Sequence, residues 1–378
     1  MKLMHLSDLH LGKRVNGFSM LEEQRFILEQ ILQLVHAEQP QGVLLAGDLF
    51  DKPTPPAEAV SLLDDFLAGL SHLGCTIFAI SGNHDSPERI AYGGRLLRHS
   101  GVHMSPVYGG SISPITLEDD LGPVDFYLLP FLKPAYLRSV MPETEIHSCQ
   151  EAVEKALEGL PVDPRRRNVL VAHQFVAGAQ VLEQEELLIG GSDGVDAALF
   201  RDFDYVALGH LHGPQSVGRD TLRYCGTPLK YSFAEASHHK SVTLVELDAK
   251  GQVTLNLLPL IPQHDLREIR GTYDQVMDRS AYTQQNRFDD LHITLTDEED
   301  VPDAIGRLRT VYPNLMKLDY DNRRTRETGE LLPEDALEHQ SPLELFGDFY
   351  RMQNNKELDD AQLAYLNGLT KEIWEEEV

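Results

Sequence analysis

Five short segments of the sequence place carboxylate, imidazole and amide side chains directly after apolar runs. The segments are HLSDLH, GDLFD, GNHD, AHQ and GHLH, and they contain Asp8, His10, Asp48, Asp51, Asn83, His84, Asp85, His173, His210 and His212. Oxygen and imidazole donors without a thiolate suit Mn²⁺, Fe²⁺ or Zn²⁺. The donors are numerous enough for two ions that share one carboxylate. A pair of ions about 3.5–4 Å apart suits the hydrolysis of phosphoesters, because it binds the phosphate oxygens and generates hydroxide at neutral pH.

Each segment alone is weak evidence for a metal site. An Asp-x-His pair occurs often by chance, and an isolated histidine such as His173 is more often a hydrogen-bonded structural residue than a ligand. His210 and His212 are two residues apart on a predicted strand and would point the same way, which is also common on protein surfaces. The joint pattern favours a functional site, because five coincidences would have to fall at the same kind of position in the fold.

The apolar runs beside these segments have the length and composition of buried strands. Predicted strands cover 42–47, 76–81, 124–130, 168–173 and 204–209. Amphipathic helices are predicted from a capping box of Ser19 and Glu22 to just before Pro40, over 57–73, and from Ser148 onward. Alternating strands and helices predict a layered α/β domain. In such folds ligands collect beyond the carboxyl ends of the strands, so the five segments should meet at one rim.

The pattern changes after about residue 215. Alternating apolar residues in 239–248 and 252–260 predict a β-hairpin. The stretch 265–335 has the pattern of a small α+β unit, with a strand at 291–297 and a helix at 303–313. This change of pattern indicates that a second domain follows the layered one.

The last part of the sequence predicts two amphipathic helices, each with one apolar face. The faces comprise Leu343, Phe346 and Phe349 or Tyr350 on the first helix, and Leu363, Leu366, Leu369 and Ile373 on the second. Such faces at a chain end, beyond a complete domain, suit either a core or the binding of a partner. We therefore predict a catalytic core at 1–262, a small capping domain at 263–338 and C-terminal helices at 339–378.

The composition predicts a globular protein of the cytoplasm. No apolar run approaches the roughly 20 residues that span a bilayer, and the N-terminal segment reaches Asp8 before a signal-peptide core could form. Cys75, Cys149 and Cys225 are few, odd in number and widely spaced, which argues against a disulfide framework or a zinc ribbon. The net charge of −27 is unfavourable for nucleic-acid binding unless the carboxylates are segregated from the binding face or offset by metals or a partner.

The order of the motifs, D-x-H, G-D-x-x-D, G-N-H-D, H and G-H-x-H, resembles the calcineurin-like metallophosphoesterases. Within that superfamily, the segments HLSDLHLG, GDLFDKPTPP, GNHDSPERI, AHQF, ALGHLH and RYCGTPLKYSFAEASHHKSV are similar to the SbcD family, the nuclease subunits of bacterial complexes that process DNA double-strand breaks. The similarity covers about residues 1–260, and the rest matches in general plan. It implies a layered α/β core of two sheets flanked by helices, a small α+β capping domain and C-terminal helices.

The resemblance also implies a role for each motif residue. One metal would be held by Asp8, His10, Asp48 and His212, and the other by Asp48, Asn83, His173 and His210. Asp48 would then bridge two divalent ions, with Mn²⁺ as the expected ion. His84 would not be a metal ligand. It would face the scissile phosphate and stabilise the transition state or protonate the leaving oxygen, and Asp85 would orient His84. Some archaeal and eukaryotic relatives have a histidine where this chain has Asp51.

For the activity, the resemblance implies 3′–5′ exonuclease and endonuclease cleavage of duplex and hairpin DNA, in DNA repair, recombination and replication. It further implies a homodimer that binds two copies of an SbcC-type ATPase, forming a heterotetramer in which the C-terminal helices contact the ATPase. The helix at 57–73 and the segment 89–99, with its apolar Ile90, Leu96 and Leu97, are the candidate dimer surfaces.

Several other polar residues match no motif. The basic runs at 165–167 and 323–326 are either contacts to the DNA backbone or solvated surface charge. We interpret the remaining histidines outside the motifs as structural or surface residues. They include His5, His36, His72, His99, His103 and His147.

Other functions of the same fold are the main alternatives: phosphoprotein phosphatase, cyclic-nucleotide phosphodiesterase or nucleotidase. The protein phosphatases follow their bridging aspartate with an arginine-containing stretch and use G-N-H-E, whereas this chain has GDLFDKP and GNHD. A small-molecule phosphodiesterase has no need for a further C-terminal segment that ends in amphipathic helices. A catalytically inactive scaffold is the third alternative, although every ligand position of the motif is filled.

Overall fold

The chain folds into two compact units, Met1–Leu266 and Arg267–Val378. The computed structural model describes residues 1–181, 194–299, 301–323, 325, 343, 346–347, 350, 358 and 360–375. None of the helices in these residues combines the length and apolarity that a membrane crossing requires. The domain boundaries drawn from the sequence, at 262/263 and 338/339, stay predictions.

Seventeen strands and ten α-helices have both of their bounds within the described residues and are numbered here in chain order. The strands are β1 Lys2–Leu6, β2 Arg14–Val15, β3 Phe18–Ser19, β4 Gly42–Ala46, β5 Thr76–Ile80, β6 Val102–Met104, β7 Ile115–Asp119, β8 Gly122–Leu129, β9 Arg167–His173, β10 Tyr205–Gly209, β11 Gln215–Val217, β12 Arg219–Tyr224, β13 Ser241–Leu247, β14 Val253–Pro259, β15 Leu266–Gly271, β16 Asp290–Leu295 and β17 Leu315–Tyr320. The helices are α1 Leu21–Glu38, α2 Ala57–His72, α3 Pro87–Ile90, α4 Gly94–Leu97, α5 Pro134–Val140, α6 Cys149–Glu158, α7 Tyr273–Met277, α8 Arg279–Tyr282, α9 Ala304–Arg309 and α10 Asp360–Glu375.

Two six-stranded sheets form the framework of the first unit. Their strand orders are β14-β13-β1-β4-β5-β6 and β11-β12-β10-β9-β8-β7. In the first sheet β1, β4 and β5 run parallel to one another, and in the second β8, β9 and β10 do so. Because parallel strands end at the same edge of a sheet, the segments that follow β1, β4 and β5 lie together, as do those that follow β9 and β10.

The two sheets face each other across a hydrophobic core. Phe78 of β5 stacks on Phe126 of β8 with 4.2 Å between ring centroids, and Leu44, Val171 and Ala207 in the same cluster are completely buried. Helix α6 buries one face in another core with β8 and β9, while α1 packs on α2 and α2 on β5. The predicted layered α/β core of two sheets flanked by helices is confirmed.

Most of the elements predicted for this unit are present, with one error at a helix start. The predicted hairpin forms β13 and β14, and β13 adds antiparallel to β1. Helix α1 has Met20 at its N-cap without a side-chain hydrogen bond, so the capping box predicted there is wrong. Ser19 instead lies in β3 and pairs with Arg14 of β2. Helix α6 begins as predicted, since Ser148 Oγ accepts from the Glu151 backbone N–H at 3.2 Å.

The second unit contains a three-stranded sheet in the order β15-β16-β17, in which β16 and β17 are parallel. The strand predicted at 291–297 is β16, and the helix predicted at 303–313 is α9. Leu291, Ile293 and Leu308 are completely buried in the core that these elements share. The predicted combination of strands and a helix is therefore present here.

Part of the predicted C-terminal helices lies in the described residues. Helix α10 contains Leu363, Leu366 and Leu369. Leu363 is exposed, as is Phe346 of the preceding predicted helix. Outside the described residues lie Phe349 of the predicted apolar face and Arg324 and Arg326 of the basic run.

Candidate metal centre

The candidate site lies where five strands of the two sheets end. Asp8 and His10 follow β1, Asp48 follows β4, Asn83 and His84 follow β5, His173 is the last residue of β9, and His210 and His212 follow β10. These residues come together because β4 and β5 of the first sheet contact β9 of the second. Asp8, His10, Asp48 and His173 are almost completely buried. The structure thus collects all seven residues that the motifs predict as metal ligands.

Asp48 lies at the middle of the site. Its Oδ1 accepts a hydrogen bond from the His84 backbone N–H at 2.8 Å, and its Oδ2 lies 3.4 Å from His173 Nε2 and 3.7 Å from His10 Nε2. The potential donor atoms form two groups, and within each group the atoms lie within 4.8 Å of one another. One group is Asp8, Asp48 and His173, and the other is His10, Asp48 and His84. Asp48 belongs to both groups. A shared carboxylate is what a bridge between two metal ions requires.

Asn83, which follows β5 of the first sheet, contacts two histidines at the ends of strands of the second sheet. Its Oδ1 lies 3.0 Å from His173 Nε2 and 2.9 Å from His210 Nδ1. The other ring nitrogen of His173, Nδ1, lies 2.8 Å from the carbonyl oxygen of Ala46. Because a carbonyl oxygen only accepts, Nδ1 carries a proton and donates it. His173 therefore directs Nε2 at the oxygens of Asn83 and Asp48, which is the orientation of a metal-binding imidazole.

The carboxylates around His173 favour a positive charge at this point of the site. Burial lowers the pKa of His173, but the carboxylates of Asp48 and Asp8 and the hydrogen bond to the Ala46 carbonyl together outweigh burial and raise that pKa to about 9. The contact with His173 opposes the effect of burial on Asp48 and holds its pKa well below the usual range. In the metal-free protein Nε2 therefore carries a proton between two oxygen atoms. A divalent ion at this point would take the place of that proton.

His10 gives an independent indication of metal binding. The ring is 1% exposed, and within the described residues neither of its nitrogens has a hydrogen-bond partner. Burial lowers the pKa of His10 well below its usual value, so the ring is neutral and has an unused lone pair. Buried polar atoms are almost always paired. A divalent cation satisfies such a nitrogen, and imidazole, carboxylate and amide donors together suit Mn²⁺, Fe²⁺ or Zn²⁺.

Asp8 and His210 approach the site from opposite sheets. The Asp8 carboxylate accepts from the His210 backbone N–H at 3.0 Å. Burial raises the pKa of Asp8 to about 6 and lowers the pKa of His210 to about 3. Both shifts favour the neutral form of the group, and a bound divalent ion would restore the charge of the carboxylate.

His84 lies at the edge of the site and is partly exposed. Its Nδ1 lies 2.9 Å from the carbonyl oxygen of Asp51, and its ring meets the His10 ring edge-on at a centroid distance of 4.8 Å. A partly exposed ring above buried ligands is suited to contact a substrate. Since a ring nitrogen of His84 also lies in the donor group of His10 and Asp48, its assignment as a non-ligand stays a prediction.

The hydrogen bonds of Asp85 differ from those predicted. Its carboxylate accepts from the backbone N–H groups of Leu49 at 3.1 Å, Phe50 at 2.9 Å and Gly82 at 2.9 Å. The prediction that Asp85 supports the His84 ring is therefore wrong, because the Asp51 carbonyl occupies that position. Three N–H donors satisfy a buried carboxylate better than one imidazole. Asp85 ties the loop after β5 to the loop after β4 instead.

Gly82 and Gly209 allow the strand ends to close on the site. A Cβ atom at Gly82 would lie 2.1 Å from Asp48 Oδ1, and one at Gly209 would lie 1.9 Å from the Ala46 carbonyl oxygen. That carbonyl is the one that binds His173. The glycines of the GNHD and GHLH motifs are therefore steric requirements of the site.

The structure adds residues to which the motifs assigned no role. His212 Nδ1 lies 3.0 Å from Oε1 of Glu235, a residue that is 1% exposed. Gln24 Nε2 donates to the carbonyl oxygen of His10 at 2.8 Å and to the hydroxyl of Tyr231 at 2.9 Å. Glu235 and Tyr231 belong to the segment RYCGTPLKYSFAEASHHKSV. The sequence offered one signal for their role: Glu235 is acidic and Tyr231 aromatic, within a segment that otherwise has the pattern of a loop.

The basic run at 165–167 is paired with carboxylates. Arg165 pairs with Asp163 and Arg166 with Asp125, each at 2.9 Å, and the buried Arg167 pairs with Asp119. Arg167 is buried and Arg166 is held by the buried Asp125, whereas Arg165 is 88% exposed and stays accessible. For Arg166 and Arg167 these contacts favour the structural interpretation over contact with DNA.

Comparison with known proteins gives two family matches and a full-length relative. Residues 1–214 match the family of calcineurin-like phosphoesterases. Residues 262–354 match the SbcD C-terminal family, described as the type 5 capsule protein repressor C-terminal domain. The SbcD component of the nuclease SbcCD from Staphylococcus epidermidis is 30% identical over 382 aligned residues, which cover 100% of both chains.

Solved structures that align with this chain include a dimetal phosphatase from Danio rerio, with a TM-score of 0.42 and 12% identity over 69% of this chain and 96% of that one. GAP50, the anchor in the inner membrane complex of Plasmodium, aligns with a TM-score of 0.41 and 10% identity over 89% of this chain and 98% of its own. The family match over the N-terminal 214 residues and the full-length relative identify the chain as a calcineurin-like phosphoesterase and, within that family, as a member of the SbcD family.

Proposed function

We propose that this protein is a DNA nuclease that hydrolyses phosphodiester bonds with two bound divalent ions, Mn²⁺ being the expected ion. The observation that carries the proposal is the pair of donor groups that share Asp48. The name of the full-length relative, a component of a nuclease, supports a nucleic acid as the substrate. The proposed activities are 3′–5′ exonuclease and endonuclease cleavage of duplex and hairpin DNA, in repair, recombination and replication.

The family resemblance divides the ligands into two overlapping sets in this proposal, whereas the donor groups in the structure place Asp8 with His173 and include His84; Asp48 is common to both divisions. One set is Asp8, His10, Asp48 and His212, and the other is Asp48, Asn83, His173 and His210. When bound, the ions supply activated water and positive charge for the phosphodiester. The Ala46 carbonyl keeps the proton of His173 on Nδ1, and the Asp51 carbonyl orients His84 through its Nδ1. Nε2 of His84 then faces the scissile phosphate and, in the protonated ring, donates to the leaving oxygen.

The test of this function compares two substrates in the presence of Mn²⁺. Bis-p-nitrophenyl phosphate reports phosphodiester hydrolysis of any kind, and linear and hairpin duplexes report nuclease activity. We expect hydrolysis of both substrates, lost with EDTA and restored by Mn²⁺. Hydrolysis of the small substrate alone would favour a small-molecule or cyclic-nucleotide phosphodiesterase. Hydrolysis of neither would favour an inactive scaffold.

The net charge of −27 requires a second source of DNA affinity. An isolated chain with this charge should bind duplex DNA weakly and release it readily as salt rises. We propose that an SbcC-type ATPase supplies basic surface and that the C-terminal helices, 339–378, bind it beyond a capping domain at 263–338. The full-length similarity to a component of the SbcCD complex supports this partner, as do the exposed Phe346 and Leu363.

Removal of the C-terminal helices tests this assignment. A chain that ends at Gln340 should no longer co-purify with the ATPase and should lose ATP-dependent duplex cleavage. Hydrolysis of bis-p-nitrophenyl phosphate by the same chain should persist, because every proposed ligand lies before residue 213. A truncated chain that still co-purifies with the ATPase would exclude these helices as the binding segment.

We further propose that the protein forms a homodimer in the cytoplasm, which with two ATPase subunits makes a heterotetramer. Val60 on α2 is 47% exposed, Tyr92 86% and Leu96 79%, and these apolar side chains support the predicted dimer surface. Ile90, also predicted there, is buried and belongs to the core of the unit. The three free, buried cysteines are consistent with a reducing compartment. A monomeric mass by light scattering at micromolar concentration would contradict dimer formation.

A further inference from the structure

A buried carboxylate lies beside one ring nitrogen of His212. Glu235 closes the 3-10 turn Phe233–Glu235 and is 1% exposed. Its Oε1 lies 3.0 Å from His212 Nδ1 and accepts from the Tyr231 backbone N–H at 3.3 Å. Its Oε2 accepts from the Thr227 hydroxyl at 3.2 Å and forms an ion pair with Lys240. Both oxygens of the carboxylate are thus occupied as acceptors.

Lys240 keeps Glu235 ionised. It is 5% exposed, and its Nζ also donates to the His212 carbonyl oxygen at 3.0 Å and to the Thr227 hydroxyl at 2.7 Å. A buried carboxylate persists as an anion only where a cation and hydrogen-bond donors compensate for its lost hydration. Because an ionised carboxylate only accepts, the proton of the His212–Glu235 hydrogen bond belongs to His212 Nδ1.

We propose that Glu235 is a positioning residue that fixes the tautomer and the orientation of His212, so that the lone pair of Nε2 is presented to a divalent cation. The inference rests on the proposed role of His212 as a metal ligand. It parallels His173, whose Nδ1 donates to the Ala46 carbonyl. A carboxylate partner also raises the basicity of the ligating imidazole, and losing such a partner commonly weakens metal binding by about 10–100-fold.

The first test needs no substitution of Glu235. Selective ¹⁵N labelling of the histidines in the metal-free protein reports by NMR which ring nitrogen carries the proton. The His212 signals are assigned by their loss in His212→Gln. We expect the Nδ1–H tautomer for His212. The Nε2–H tautomer would overturn the proposal, whatever the behaviour of any Glu235 variant.

The second test measures binding of Mn²⁺ alone, by isothermal titration of the metal-free full-length protein. Glu235→Gln by itself keeps an amide oxygen that accepts from His212 Nδ1 and leaves Lys240 as an unpaired buried charge. The informative variant is therefore Glu235→Leu/Lys240→Met, which removes both charges and the acceptor. We expect about 10–100-fold weaker Mn²⁺ binding at one of the two sites and little change at the other. Wild-type affinity at both sites in the double variant would overturn the proposal.

A matched control separates this effect from general destabilisation. Asp119→Asn breaks another ion pair of the same unit, in which Asp119 at the end of β7 pairs with the buried Arg167 at the start of β9. This pair lies at a distance from the candidate ligands. The substitution should lower the thermal midpoint without changing Mn²⁺ affinity.

His212→Gln distinguishes failure of the positioning role from failure of the proposed function. If it leaves Mn²⁺ affinity unchanged, His212 is not a ligand and the proposed function needs revision. If it weakens one site while the Glu235 double variant does not, only the positioning role fails.

Discussion

Replacement of Gly82 by alanine should disable the metal centre without altering any side chain proposed to bind metal. Gly82 precedes Asn83 in the loop after β5, and its N–H donates to Asp85 Oδ2 at 2.9 Å. A Cβ atom there would lie 2.1 Å from Asp48 Oδ1 and 2.4 Å from the Asp48 backbone nitrogen. Gly82 is not among the glycines with positive φ. Alanine is therefore compatible with the backbone conformation, and the expected effect is steric.

The magnitude follows from these distances. Contacts of a Cβ atom are essentially never shorter than 3.0 Å. The loop or Asp48 must therefore move by roughly 1 Å. A misplacement of about 1 Å at an active site commonly lowers the rate by about 10²-fold. Asp48 has little freedom to move, because its Oδ1 also binds the His84 N–H at 2.8 Å. Overpacking of a buried contact also destabilises a fold by about 1–3 kcal/mol. We expect both losses in Gly82→Ala.

Three measurements on the purified variant check this expectation: Mn²⁺-dependent hydrolysis of bis-p-nitrophenyl phosphate, bound metal per chain, and the midpoint of thermal unfolding. The matched control is Gly109→Ala, where a Cβ atom meets nothing within 4 Å, and it should match the wild type in all three. If Gly82→Ala keeps wild-type activity and metal content, the close packing of Gly82 on Asp48 does not determine the site, and the reasoning is refuted.

Three further predictions concern residues of the candidate metal centre. Asp48→Ala should lose both ions, because Asp48 belongs to both donor groups; normal metal content by elemental analysis would contradict the bridge. His84→Ala should keep its metal and its DNA binding but cleave about 10²–10³-fold more slowly; loss of metal from this variant would make His84 a ligand. Burial lowers the pKa of His173 but Asp48, Asp8 and the Ala46 carbonyl together raise it to about 9, so Mn²⁺ binding near pH 7 should displace a proton and tighten as the pH rises toward 9. Calorimetry in buffers of different ionisation enthalpy measures that proton, and an affinity independent of pH would rule the displacement out.

The strands that carry the site could be predicted because their signal is local. A continuous apolar run such as 42–47, followed at once by polar residues, indicates a buried strand that ends at a functional edge. The structure has β4 at Gly42–Ala46 and Asp48 just beyond it. The pairing of β13 with β1 had no comparable signal. It joins Leu3 to Val245, and pairing between residues so far apart depends on the whole fold rather than on any local pattern.

Each error or omission has a physical cause in a competing contact. Ser19 has the residue type and spacing of an N-cap, but the β2–β3 hairpin uses its backbone in pairing with Arg14. Asp85 follows His84 directly, yet its carboxylate is taken by backbone N–H groups of the loop after β4. Glu235 was missed because its partner, His212, lies 23 residues earlier. Ser19 takes part in a competing local hairpin, whereas the contacts of Asp85 and Glu235 join residues far apart in the sequence. A single sequence does not reveal which of these contacts forms.

The backbone at the site is a further property that residue patterns do not reveal. Among the described residues, seven other than glycine have positive φ, and four of them are candidate ligands: Asp8 at 53°, His10 at 44°, Asp48 at 49° and His210 at 110°. Each such conformation commonly costs about 1–3 kcal/mol and persists only where the surroundings enforce it. The loops after β1 and β4 enforce it on each other, since the Asp8 N–H donates to the Gly47 carbonyl at 3.0 Å and the His10 N–H to the Asp48 carbonyl at 2.9 Å. The donor atoms are therefore held in place against the local backbone preference, which indicates that function rather than stability determines the conformation at these four positions.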